Sequence, residues 1–180
     1  KVKVKLKNYF PVIFITLVVL ISVSLLVGID SITAEKIEQQ EEQKVRQMLG
    51  EMFIDMDRSE FHDENEIYTI YSDDDVIGFA FLALGRGYGG DINILVGLED
   101  ETTLKGITII SQTETPGLGT RITDSDFTDM FTGTKIDDIG LKRDNGGIDA
   151  LTGATISSRA VVDAVKAEAL EKVTQLKGGE

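Results

Sequence analysis

Residues 9–29, YFPVIFITLVVLISVSLLVGI, form an apolar run without a charged residue over 21 positions. At a rise of 1.5 Å per residue, a helix of this length covers about 30 Å, the thickness of the hydrocarbon core of a bilayer. The run therefore predicts one transmembrane helix. A cleaved secretory signal is the alternative, since it also follows a basic start, but this run is longer than the usual apolar region and GIDSI lacks a small-x-small cleavage site.

The charges on either side of the run predict its orientation. Residues 1–8 contain four lysines and no acidic residue, whereas acidic residues outnumber lysines between positions 30 and 44. The positive-inside rule places the basic side in the cytoplasm. We expect a single-pass protein of the cell (inner) membrane, divided into a cytoplasmic start (1–8), a transmembrane helix (9–29), a membrane-proximal helix (30–57) and an extracytoplasmic domain (58–180).

Composition excludes several kinds of chemistry. The sequence has no cysteine, which rules out cysteine-ligated iron–sulfur clusters, CxxCH haem attachment, thiol nucleophiles and disulfides. Its one histidine, His62, lies in the polar segment EFHDENE and is expected at the surface, since no second histidine could complete a metal site. The formal net charge of −13 would repel phosphate backbones, so no nucleic acid partner is expected.

The pattern of apolar residues predicts an α+β fold, an antiparallel sheet flanked by helices. A helix is expected from Ser31 to about Asp57, starting at a cap on Ser31 or Thr33, because apolar residues recur there at helical spacing. The residues of this stripe are Ile37, Val45, Met48, Leu49, Met52 and Phe53.

Four apolar runs rich in β-branched and aromatic residues follow, and the short turns between them favour antiparallel hairpins. The predicted strands are Glu66 to Ser72, Val76 to Gly85, Ile92 to Leu98 and Leu104 to Ser111. A short helix around Asp124 to Phe131, a glycine-rich hairpin at RDNGGID and a last helix from about Ser157 to Gln175 complete the prediction. In that last helix Val161, Val162, Val165 and Ala169 share one stripe.

Three glycine-rich segments are candidates for binding a ligand through the backbone: GRGYGG (85–90), TETPGLGTR (113–121) and DALTGATISS (149–158). The third directly precedes the last helix, whose unpaired N–H groups and dipole favour a phosphate. The competing interpretation is that Ser157 or Ser158 only caps that helix. The segment is not a Walker A loop, because no Gly-Lys-Ser/Thr follows it.

The third segment resembles the flavinylation motif Asp-x-x-Ser/Thr-Gly-Ala-Thr-x-Ser/Thr of the FMN-binding domain family. ETPGLG resembles the Glu-Thr-Pro-Gly-Leu-Gly signature of that family, and GRGYGG resembles its Gly-Tyr-x-Gly segment. With the basic start and the apolar run, nearly the whole chain is similar to the G subunits of Rnf ion-translocating oxidoreductases. These are relatives of the C subunits of the Na⁺-translocating NADH:quinone oxidoreductase.

The resemblance implies that Thr155 carries FMN through a phosphoester bond, which a separate flavin transferase makes from FAD. Thr152, Gly153 and Ala154 would shape the turn before it, and Thr152 stands where many relatives have Ser. Asp149 would engage the transferase or its metal. Around the isoalloxazine, Glu114 and Thr115 would supply polar contacts, and Gly117, Leu118 and Gly119 would supply N–H groups and a flat face. Tyr88 would form a wall or stack on the ring, or would only pack on its hairpin. Arg121 would neutralise flavin or phosphate charge, or form a surface ion pair.

The implied function is electron relay within a membrane-bound, ion-translocating ferredoxin:NAD⁺ oxidoreductase. In that role the chain contacts other membrane subunits and is not catalytic alone. One alternative is a C-type subunit of the quinone-reducing pump or another exported flavin relay. A different class is a membrane-anchored extracytoplasmic ligand-binding module without covalent flavin, in which TGAT is a plain helix cap.

Overall fold

The computed structural model describes residues 10–178, and within its first helix it describes all side chains except those of residues 27–39 and 41. The predicted basic start therefore lies outside the described residues. The helices are α1 (Phe10–Met52), α2 (Ser125–Thr128) and α3 (Thr155–Gly178), and the strands are β1 (Arg58–His62), β2 (Ile67–Ser72), β3 (Asp75–Arg86), β4 (Asp91–Leu98) and β5 (Leu104–Gln112). The predicted α+β class is confirmed.

The five strands form one antiparallel sheet in sequence order, β1-β2-β3-β4-β5. Each connection is short, so every strand pairs with its neighbour in the chain. β2 to β5 lie within a residue or two of the predicted strands. β1 was not predicted, because RSEFH has only one large apolar residue. It lies at the edge of the sheet, where the rings of Phe61 and Tyr68 pack at a tilt, with 4.6 Å between their centroids.

The principal core lies between α3 and one face of the sheet. The predicted stripe of α3 is buried there, and Phe127 and Phe131 of the connecting segment fill the space beside it. Since residues of a strand alternate between faces, Phe81 and Ala83 of β3 point into this core. This packing places α3 against β3 and β4, with Ala160 in its second turn beside Gly85 near the end of β3.

The end of α1 covers the other face of the sheet. Val45, Leu49 and Phe53 are buried against Ile70 and Leu95. Met48 and Met52 are partly buried beside them, so the five described members of the predicted stripe face a core; the side chain of Ile37 is outside the described set.

α1 is one helix, Phe10–Met52, and it does not begin at a cap on Ser31 or Thr33, nor does it reach Asp57. The chain divides into two compact units, the first ending at Lys44 and the second starting at Val45. In the first unit, the side chains of residues 10–26 are exposed. Within the described part of the chain, no helix is both long and apolar enough to cross a membrane.

The glycine-rich segment at RDNGGID is not the predicted hairpin. Leu141 and Ile148 form one parallel bridge, and Lys142 N–H donates to the carbonyl oxygen of Ile148 at 2.8 Å. A single 3-10 turn and Asn145 in the left-handed region, with φ 66°, connect these two residues. The turn therefore leads directly into the segment before α3 rather than adding two strands.

Candidate functional site

A cavity of about 590 Å³ opens where the three glycine-rich segments meet. Ligand sites in proteins commonly have volumes of about 300 to 1,000 Å³, so this cavity has the size of a small-molecule site. Its lining residues are Tyr88, Glu114, Thr115, Leu118, Gly119, Gly153, Ala154, Thr155, Ile156 and Ser157. The fold thus brings together three segments that lie well apart in the sequence.

Thr155 is the first residue of α3 and lines the cavity. Gly153 just before it has φ 83°, a left-handed conformation that glycine adopts without strain, and a Cβ there would lie 3.2 Å from Leu118 Cδ2. Ala154 is buried, and its carbonyl oxygen accepts the first bond of the helix, from Ser158 N–H at 2.9 Å. The turn therefore presents the Thr155 side chain beside the N–H groups that the helix leaves unpaired at its start.

Ser157 and Ser158 do not cap α3, so that alternative is wrong. The helix begins two residues earlier than predicted, which puts both serines inside its first turn. Ser158 Oγ donates to the Ala154 carbonyl oxygen and accepts from Leu151 N–H, both at 3.0 Å. Ser157 Oγ instead donates to Glu114 Oε2 at 2.6 Å.

Glu114 is 5% exposed and binds the other two segments that surround the cavity. Its Oε2 accepts from Ser157 on α3, and its Oε1 accepts from Gly89 N–H in the loop that carries Tyr88, at 2.9 Å. Its own N–H donates to Gln112 Oε1 at 2.6 Å. The carboxylate thus joins the segment after β5 to both of its neighbours.

Three large side chains at the cavity are exposed, and most of their surface is apolar. Tyr88 is 74% exposed, Ile156 57% and Leu118 48%. Apolar side chains suit a flat aromatic ring, and the start of α3 suits a phosphate. The residues present therefore fit FMN, whose phosphate the start of α3 would favour and whose ring these side chains would contact.

Several predicted site residues do not line the cavity. Thr152 is exposed in the turn before α3, and Gly117, with φ 73°, lies in the turn before Leu118. Gly117 N–H donates to Thr120 Oγ1 at 3.0 Å and Leu118 N–H to the Thr115 carbonyl oxygen at 3.2 Å, so the turn itself uses these N–H groups.

Two predicted charged residues also lie outside the lining. Asp149 Oδ2 accepts from Lys142 Nζ at 2.6 Å in an exposed ion pair. Arg121 is exposed on the 3-10 segment that follows Leu118. The roles of Asp149 in flavin transfer and of Arg121 in neutralising flavin or phosphate charge therefore remain predictions.

Sequence reasoning missed the roles of Ile156 and Ser157. Both follow Thr155 directly, and they line the cavity because the helix begins at Thr155 rather than at Ser157. The motif itself, with a hydroxyl residue two positions after Thr155, was the available signal for Ser157. No comparable signal marked Ile156, because an apolar residue in a first helical turn usually packs on a core.

Within the described residues, no group of histidine, cysteine or acidic side chains is arranged to hold a metal ion. His62, predicted at the surface, is half-buried on β1, with Nε2 3.0 Å from Thr69 Oγ1. Away from the cavity, hydrogen bonds from the Thr102 side chain and backbone lower the pKa of Asp100. The cavity is therefore the candidate site for a small-molecule ligand.

Residues 87–170 match the FMN-binding domain family. The chain is 30% identical over 169 residues to the G subunit of the proton-translocating ferredoxin:NAD(+) oxidoreductase complex of Clostridium ljungdahlii, covering 92% of this chain and 91% of that protein. It is 34% identical over 140 residues to the G subunit of the ion-translocating oxidoreductase complex of Methanosarcina acetivorans, covering 72% and 74%.

Among solved structures, the fold is similar to NqrC of Shewanella oneidensis, with a TM-score of 0.53 and 22% sequence identity, covering 69% of this chain and 73% of that one. The residues that line the cavity, from Tyr88 to Ser157, fall inside the matched domain. The chain therefore belongs to the FMN-binding domain family, among the G subunits of ion-translocating oxidoreductase complexes.

Proposed function

We propose that this chain is a flavoprotein that carries FMN on Thr155 and relays electrons within an ion-translocating ferredoxin:NAD⁺ oxidoreductase complex. One observation carries the proposal: Thr155 begins α3 and lines a cavity that also exposes the apolar surface of Tyr88, Leu118 and Ile156. A hydroxyl at a helix start that favours a phosphate, in the same cavity as apolar side chains that suit a ring, supports attachment of a flavin there. Membership of the FMN-binding family and the similarity to G subunits of such complexes support the same function.

The attachment we propose is a phosphoester between Thr155 Oγ and the phosphate of FMN. A flavin transferase would form it from FAD, with Thr155 Oγ displacing AMP from the flavin phosphate and losing its proton. FMN would supply one-electron and two-electron redox chemistry, which the side chains of a cysteine-free protein do not provide. The bond fixes the position of the flavin without altering its ring.

The residues of this chain would hold the two ends of FMN differently. The N–H groups at the start of α3 favour the phosphate, while Tyr88, Leu118 and Ile156 would contact the ring. Thr152 and Gly117 would act through the shape of their turns, and Asp149 would engage the transferase. The other residues that line the cavity are Glu114, Thr115, Gly119, Gly153, Ala154 and Ser157.

We further propose that residues 9–29 anchor the chain in the cell membrane, with residues 30–57 as a membrane-proximal segment that is helical up to Met52 and 58–180 as an extracytoplasmic FMN-binding domain. The uncharged run and the lysines before it support this arrangement. The other membrane subunits of the complex would be the electron donor and acceptor. Ferredoxin and NAD⁺ would then react at other subunits, on the cytoplasmic side.

The proposal is tested with the whole complex carrying Thr155→Ala in this chain. We expect the variant complex to assemble, to lack the flavin of this subunit and to lose ferredoxin-dependent NAD⁺ reduction. Thr174→Ala is the matched control, since it removes an exposed hydroxyl from the same helix, far from the cavity. A flavin-free Thr155→Ala complex with full activity would contradict the relay role, and co-purification with quinone-reducing subunits would assign the chain to the related pump.

A further inference from the structure

We propose that Glu114 is a positioning residue, which fixes the position of the Tyr88 loop relative to the turn of Thr155. The inference rests on the proposed function, because it concerns the two sides of the cavity proposed for FMN. From the sequence, Glu114 was expected to contact the isoalloxazine. Its hydrogen bonds point to a different role.

Both carboxylate oxygens of Glu114 are used by the protein. Oε2 accepts from Ser157 Oγ at 2.6 Å, and Oε1 accepts from Gly89 N–H at 2.9 Å. Ser157 lies two residues after Thr155, and Gly89 directly follows Tyr88. One buried side chain therefore connects the proposed phosphate end of the cavity to the proposed ring end.

The surroundings of Glu114 restrict it to this arrangement. A Cβ on Gly119 would lie 2.7 Å from both Cβ and Oε2 of Glu114, and a Cβ on Gly87 would overlap its Oε1. Ser157 is itself only 2% exposed. The close approach of Gly87 and Gly119 therefore limits the conformations open to the carboxylate, as a rigid link requires.

A hydrogen-bonded link through Glu114 predicts an effect at a distance that packing alone does not predict. If the carboxylate couples the two segments, a change at Ser157 on α3 must loosen the Tyr88 loop, because Glu114 transmits it. Charge-assisted hydrogen bonds are the strong ones, so the effect should be measurable. Attachment of FMN, which needs both sides of the cavity, should then depend on the same pair of residues.

The first test uses the full chain without flavin and measures hydrogen exchange of a peptide covering Gly87 to Asp91 by mass spectrometry. We expect Ser157→Ala to raise the exchange rate of this peptide about fivefold. Ser158→Ala is the matched control, because the hydroxyl of that buried serine bonds to Ala154 and Leu151 instead of Glu114. It should leave the exchange of the peptide unchanged.

The second test measures the rate of FMN attachment by the transferase and the visible circular dichroism of the attached flavin. We expect Glu114→Ala to slow attachment about tenfold and to weaken the dichroism. The loop of Tyr88 and the turn of Thr155 are then no longer held in fixed positions relative to each other. Glu114→Gln should rescue both properties, since its amide oxygen can accept from one of the two partners and its amide N–H₂ can donate to Ser157 Oγ. The double variant Glu114→Ala/Ser157→Ala should be no slower than Glu114→Ala alone.

Equal loop exchange in Ser157→Ala and Ser158→Ala would overturn the link, whether or not the protein takes flavin. Faster loop exchange in Ser157→Ala alone supports it, again independently of flavin. A chain that shows the link but never accepts FMN would contradict the proposed function and leave the coupling standing. Failure of Glu114→Gln to restore attachment, despite normal loop exchange, would overturn the positioning role and return Glu114 to direct contact with the ring.

Discussion

Ser157 Oγ donates a 2.6 Å hydrogen bond to Glu114 Oε2, and both residues are buried although 43 positions separate them. The bond ties the first turn of α3 to the segment that follows β5. Because Glu114 also accepts from Gly89, all three glycine-rich segments meet at this pair.

Replacing Gly119 by alanine should destabilise the protein by about 1 to 3 kcal/mol, because the added Cβ would lie 2.7 Å from Glu114. The free energy of unfolding in denaturant measures this. Gly147→Ala is the control, since its Cβ would meet no heavy atom closer than 3.5 Å and should change stability by at most about 0.5 kcal/mol. Equal effects of the two substitutions would contradict the close packing around Glu114.

Lys172 should matter more for stability than Lys177 on the same helix. Lys172 is buried, its Nζ donates to the Asn65 carbonyl oxygen at 2.8 Å, and it pairs with Glu66 and Glu168. Lys172→Met should cost about 1 to 2 kcal/mol, because it leaves that carbonyl without its donor.

Lys177→Met is the matched control for Lys172→Met. It breaks an exposed pair with Glu101 at 3.5 Å, so thermal unfolding should show almost no change. A loss in Lys177→Met as large as in Lys172→Met would contradict the assigned roles.

Asp149→Asn should slow FMN attachment without lowering stability, if its carboxylate engages the transferase. The ion pair with Lys142 is exposed, so breaking it costs little. Lys142→Met breaks the same pair and keeps the carboxylate, and it should flavinylate normally. Slow attachment in both variants would assign the effect to the ion pair instead of the carboxylate.

Asp100 should contribute to stability at neutral pH and lose that contribution in acid. Its Oδ1 accepts from the Thr102 hydroxyl and from Thr102 N–H, both at 2.7 Å, and these bonds hold the pKa of Asp100 below its usual 3.8. A carboxyl group whose pKa is lower in the folded than in the unfolded protein stabilises the fold at any pH above its unfolded-state pKa. This contribution is lost as the pH falls through the folded-state pKa.

Asp100→Ala should therefore cost about 0.5 kcal/mol at pH 7, a small amount because the site is exposed. Denaturant unfolding at pH 7 and at about pH 3 measures the difference. The cost should shrink at the lower pH, and a cost that is the same at both values would contradict the assignment.

The sheet could be predicted well from the sequence because strands β2 to β5 are apolar runs separated by clear turns. β1 was missed, since an edge strand needs few buried residues and RSEFH supplies one large apolar side chain. The start of α3 was placed two residues late, because the serines at 157 and 158 are typical caps. In the fold, hydrogen bonds to Glu114 and Ala154 use those hydroxyls instead.

The same limit applies to the site. Thr155, Tyr88 and Leu118 could be proposed from motifs, because each lies in a segment with a recognisable order of residues. The hydrogen bond between Glu114 and Ser157 could not be predicted. Local sequence patterns do not show which residues 43 positions apart come into contact in the fold. For the same reason Gly117 was expected at the cavity, although its N–H is used within its own turn.

The intact mass of the full chain, co-expressed with a flavin transferase, tests the central claim most directly. We predict an increase equal to FMN less water, located on the peptide that contains Thr155, absent from Thr155→Ala and retained in Thr174→Ala. An unmodified chain beside a transferase that flavinylates a known acceptor would contradict covalent attachment. The same increase in Thr155→Ala would contradict Thr155 as the site.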